Sequence, residues 1–217
     1  MTRTNAIGLF AAFACIGTAS AAIIDPSVEV LELMPGTITF RIYANFDNPA
    51  DRLLSVAADE DVASFHFYSD RELIQDTTVP GSGLHDVPGH SAITGPADSW
   101  VTIGGDWANG MTDTEFSPGF LGDGFDDRIA GSELFFEHNG GYFDFDPGTP
   151  ENGGSVLIAQ FTLPDDVSVL KFSGTFFYVS EDSPDLLDRV AFIVVVPAAP
   201  SLALLVLGGL GVGRRRR

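Results

Sequence analysis

Cysteine is almost absent from this 217-residue chain: Cys15 is the only one, and it lies in an apolar N-terminal stretch. That excludes an internal disulfide framework, so core burial must supply the stability, with a metal or a partner as the remaining extras. Basic residues are scarce as well, with eleven Lys and Arg against thirty Asp and Glu and a net charge of −19. Five of the eleven, Arg3 and Arg214 to Arg217, sit at the termini, whereas all the acidic residues lie between Ala22 and Val196. The middle thus sets six basic groups against thirty acidic ones, a charge of −24. A phosphate backbone would be repelled by such a body, which excludes nucleic acid as a partner. Also missing are a Gly-x-Ser-x-Gly elbow, a phosphate-binding loop, a dinucleotide fingerprint and any repeat of about 20 to 50 residues. Three enzyme classes and the propeller and solenoid architectures lose their sequence support together.

What is present is apolar and aromatic: 45% hydrophobic residues and 18 Phe, too many for an acidic disordered chain. The composition divides the chain into residues 1–21, 22–196 and 197–217. The middle segment, 175 of the 217 residues, is one domain's worth and can bury one sizeable core.

Each end reads as an address. At the start, Arg3 supplies a positive region, Ile7 to Ile16 a short apolar core, and Ala19-Ser20-Ala21 a small-residue cleavage site, the layout of a secretory signal peptide. Ten or so apolar residues are too few to cross about 30 Å of hydrocarbon. Cleavage after Ala21 would remove Cys15 and start the mature chain near Ala22. At the other end, Pro197-Ala198-Ala199-Pro200-Ser201 leads into Leu202 to Gly213 without a charge, and four arginines, Arg214, Arg215, Arg216 and Arg217, close the chain. Ala199 to Gly213 as a helix would span about 22 Å, a marginal membrane anchor whose arginines stay cytoplasmic and leave the acidic domain outside the inner membrane.

This tail resembles that of the PEP-CTERM proteins of Gram-negative bacteria, in which a Pro-Glu-Pro-like motif precedes an apolar helix and a terminal Arg cluster. The likeness covers Pro197 to Arg217. It implies a sorting signal read by exosortase, a membrane-embedded cysteine protease that processes the protein on its way to the surface. Here Glu is missing and Ala198-Ala199 separates Pro197 from Pro200, a pattern similar to that of planctomycete-type exported proteins. The segments Asp98 to Gly105 and Glu151 to Ser155 are also similar to parts of exported proteins of that group, and no activity comes with them.

Between the ends the signal is β. Thr37 to Phe46 alternates throughout, with Ile38, Phe40, Ile42, Ala44 and Phe46 on one face and Thr37, Thr39, Arg41, Tyr43 and Asn45 on the other, which predicts a half-buried strand. The same period predicts strands over Ser64–Ser69 and Leu170–Tyr178. Further strands are expected over Val28–Leu33, Leu53–Ala57, Trp100–Ile103, Ser132–Glu137, Gly141–Phe145, Val156–Leu163 and Val190–Val196. Clusters such as Asp47-Asn48-Pro49, Asn139-Gly140-Gly141 and Asp146-Pro147-Gly148 mark turns. Short strands without helical periods between them predict a mainly β fold, an antiparallel β-sandwich or jelly roll, followed by the C-terminal apolar helix. The stretch from Pro80 to Asp98 reads as a long surface loop.

Candidate chemistry is thin. His66 alternates with Phe65 and Phe67 and is expected to face solvent; His138 precedes a turn; His85 and His90 flank Asp86 at a spacing that fits no zinc pattern. Calcium is the best-motivated ion, because hard cations take clustered carboxylates on loops. Asp123, Asp126 and Asp127 form one such group, and Asp144 and Asp146 another. The sequence demands no cofactor and points away from an enzyme. The expected function is that of an exported cell-surface or extracellular-matrix protein, a substrate of an exosortase-like enzyme, near surface polysaccharide. The alternatives are a calcium- or carbohydrate-binding adhesion module, with Trp100, Trp107 or Tyr142 stacking on sugar, and a secreted hydrolase.

Overall fold

The computed structural model describes residues 24–74, 97, 99–104, 114–117, 133–137, 140–144 and 154–197. Eleven strands form in these stretches: β1 (Ile24–Leu31), β2 (Thr37–Phe46), β3 (Arg52–Ala57), β4 (Phe65–Ser69), β5 (Trp100–Val101), β6 (Thr114–Phe116), β7 (Glu133–Phe136), β8 (Gly141–Asp144), β9 (Ser155–Pro164), β10 (Val169–Ser180) and β11 (Ser183–Pro197). The protein is mainly β, and every strand pair is antiparallel. The expected C-terminal helix and the leader both lie outside the described residues.

The strands make two sheets. One runs β1-β2-β9-β5. In the other, β10 is the spine. β11 pairs along one edge of it from Val169↔Pro197 onward, while β4 takes Leu170–Ser173 and β3 takes Thr175–Val179 on its other edge. β8 and β6 extend the sheet from β3, and β7 extends it from β4. A single core joins the two sheets. Phe161 of the first sheet meets Phe67 and Phe172 of the second at 4.6 and 5.3 Å between ring centroids, and Phe46 meets Tyr178 at 5.9 Å. Aromatic pairs of this kind add about 0.5–1.5 kcal/mol each to the burial of their area.

The alternation of β2 is realised, with Phe40, Ile42, Ala44 and Phe46 in the core. Its other face is less wet than its residue types suggest. Thr39 is fully buried and its hydroxyl meets that of Thr162 at 2.8 Å, Arg41 donates to Gln160, and the Tyr43 hydroxyl donates to Glu29. Trp100 stands opposite Gln160 in the register, on this same face, and is also buried. The first sheet is therefore covered on both sides around β9, whose residues Val156 to Leu163 are all buried. A bulge at Ile158 shifts the β9 register, so that Ile42 faces Ala159 while Tyr43 faces Leu157.

Candidate functional site

Among the described residues, several carboxylates at turns are held by hydrogen bonds from distant parts of the chain. Asp70 follows β4 and accepts from the backbone N–H groups of Ser168 and Val169, at 3.0 and 3.1 Å, and from the Ser168 hydroxyl. Burial pushes its carboxyl up, but these hydrogen bonds outweigh burial and hold it below its ordinary value. Next to it, Arg71 grips Asp166 with two 2.9 Å hydrogen bonds, a bidentate clasp that favours both charges. Together Asp70 and Arg71 tie the end of β4 to the β9–β10 turn. In the β3–β4 connection, Asp59 accepts from the N–H of Asp61 and from Arg189 of β11 at 2.7 Å. Burial raises the Asp59 carboxyl, and these donors more than reverse it.

Asp51 is the most deeply buried carboxylate among the described residues. Its Oδ1 accepts from the Glu181 N–H at 2.9 Å, binding the β2–β3 turn to the β10–β11 turn, while Oδ2 has no partner. The turn at Asp47-Asn48-Pro49 is legible in sequence, whereas Asp51 is not. The one available signal was an acidic residue directly before an apolar strand. Asp51 and Asp188 add their charge to the burial of Tyr178, whose hydroxyl is pushed above its ordinary value chiefly by that burial. Burial, followed by the hydrogen bond and charge of Glu29, likewise pushes Tyr43 up to about 12.

Of the expected calcium ligands, Asp144 is described. It is buried at the end of β8, opposite Thr114. Asp123, Asp126, Asp127 and Asp146 lie outside the described residues, and no group of three His, Cys, Asp or Glu gathers among the described ones. His66 lies on β4 as expected and packs edge-on against the Phe135 ring at 5.5 Å. His85, His90 and His138 lie outside the described residues. Two of the three aromatic rings suggested for sugar stacking are withdrawn from solvent. Trp100 is 1% exposed, and Tyr142 is 0% exposed with its hydroxyl donating to the Ile158 carbonyl at 2.8 Å. The third, Trp107, lies outside the described residues.

Of the sorting residues, Pro197 is the last residue of β11, while Pro200, Ser201 and Arg214 to Arg217 are outside the described residues, as are Ala19 and Ala21. Among the described residues no helix is long and apolar enough to cross a membrane. No protein-family model, curated protein or solved structure matches the chain.

Proposed function

We propose that the chain is an exported, non-enzymatic surface or matrix protein: an acidic β-sandwich delivered by an N-terminal leader and held at the membrane by a C-terminal sorting helix. The observation that carries this reading is the segregation of charge. Thirty acidic residues are confined to the middle, while both ends are apolar and carry Arg on the flank expected to stay inside. Two antiparallel sheets sharing one aromatic core support the sandwich. β11 ends at Pro197, where the tail resembling the PEP-CTERM signal begins, so the strand would feed directly into the sorting segment. An exosortase-like protease is the proposed processing enzyme, and the inner membrane and surface polysaccharide are the proposed surroundings.

Mass spectrometry of the native protein tests the reading at both ends. The expected N-terminus is Ala22 or within two residues of it, and the expected C-terminus is either a cut near Pro197 to Ser201 or an intact Arg217 in the membrane fraction. A native chain that begins at Met1 and stays in the cytoplasm would overturn the proposal.

A further inference from the structure

Five strands form sheet edges among the described residues, and four of them are guarded. β5, β6 and β7 are two, three and four residues long. β1 is longer, but it carries Asp25, Pro26 and Glu29, the charges and the missing N–H that keep an edge from pairing. β11 has none of this protection over Val190 to Val196. It runs fifteen residues, and its pairing to β10 is unbroken from Pro197 to Leu187. Val190 to Val196 carries no charge and no proline, with Phe192, Val194 and Val196 buried on the core side and Ala191, Ile193 and Val195 exposed on the other. Ile193 and Val195 keep 49% and 47% of their surface in water.

We propose that a second copy of this chain covers this edge, β11 pairing antiparallel with β11 of its partner about a two-fold axis centred on Ile193. An edge to which no strand pairs among the described residues asks for one, and an antiparallel strand pair is self-complementary under two-fold symmetry. In a chain of net charge −19, the neutral run Val190 to Val196 is where two copies approach with least repulsion. The register centred on Ile193 is the one that lays this run wholly onto itself. Val190 then faces Val196, Ala191 faces Val195, and Ile193 faces its own counterpart. It leaves Asp188, and Arg189 with its partners Asp59 and Asp61, at the ends of the pairing. The result is one continuous sheet running through both copies.

Cysteine cross-linking of the full chain, exported in its host with Cys15→Ser as background, tests both the pairing and its register. Residues directly opposed in an antiparallel pair lie about 4.5–5.5 Å apart at Cα, within disulfide range. Val195 and its own counterpart would be about 13 Å apart in this register, beyond that range. Under mild oxidation Ile193→Cys should give a disulfide-linked dimer as the major species. Val195→Cys alone should give at least about five-fold less, and a mixture of Val195→Cys with Ala191→Cys should recover the dimer. All three positions are exposed, so circular dichroism should show the fold unchanged. Absence of a dimer with Ile193→Cys would overturn the proposal. So would equal cross-linking of Ile193→Cys, Val195→Cys and the turn variant Asp165→Cys, which would report crowding alone.

Discussion

Asp70 is held in its ionised state by a turn 98 residues further along the chain, where Ser168 and Val169 present their N–H groups. Because its folded pKa lies below the unfolded value of about 3.9, its contribution is present at neutral pH and is lost as pH falls through the folded value. Asp70→Asn should therefore cost about 1–2 kcal/mol in urea unfolding at pH 7. The difference from the parent should shrink as pH falls below about 3.9 and through the lower folded value; a pH-independent difference would show that shape rather than charge matters. Tyr142 reaches from the second sheet across the core to the Ile158 carbonyl, which also accepts from the Thr102 N–H at 3.1 Å. Tyr142→Phe leaves that carbonyl one donor, so the expected loss is about 1 kcal/mol, not the larger cost of a fully orphaned buried group. Neither residue announces its role in sequence. Asp70 is one of thirty acidic residues, and the bulge that places the Ile158 carbonyl is a matter of register, which no local pattern encodes.

The strands most legible in sequence were those whose two faces differ. β2 spans Thr37–Phe46 as its alternation foretells, and β10 begins and ends within two residues of expectation; β9, buried on both faces, is bounded as closely by its apolar run alone. β11 begins at Ser183, seven residues before the apolar run that marks it, because a two-residue turn at Glu181-Asp182 starts its pairing with β10 at Ser180↔Ser183, ahead of the residues that carry the apolar signal. β1 likewise begins at Ile24, through Pro26, whose missing N–H is tolerated on a sheet edge. β6 was not foreseen, since Thr114-Glu115-Phe116 is too short to display a period. Thr39, Gln160 and Thr162 are buried although polar, and a strand covered on both faces cannot be told in sequence from a half-buried one when threonine and glutamine fill the second face. At Gly141, where β8 pairs with β3, a Cβ would come within 2.5 Å of the Ala57 Cα and the Val56 carbonyl oxygen. Gly141→Ala should cost about 2–3 kcal/mol, since backbone and not a flexible side chain must give way. Differential scanning calorimetry checks this, and a midpoint shift under about 2 °C would mean that the two strands separate without strain.

For the whole molecule, the dominant physical fact is a strongly acidic β body framed by two uncharged stretches with Arg flanks. The body is legible as β from its period, while the proposal that the ends are addresses rests on composition alone. The proposed sorting function rests on those ends and on topology across a membrane. Four arginines resist translocation, and an apolar run of about 22 Å before them is too short to tilt far, so the chain should stall with Arg214 to Arg217 in the cytoplasm and the folded body outside. Fractionation of cells that express the precursor with its tail uncut, beside a variant with all four arginines replaced by serine, measures this directly. The intact precursor should sediment with membranes and expose its acidic body to external protease, and the serine variant should move into the soluble exported fraction. An intact precursor found soluble, or a serine variant equally bound to membranes, would contradict the tail as anchor and with it the proposed function.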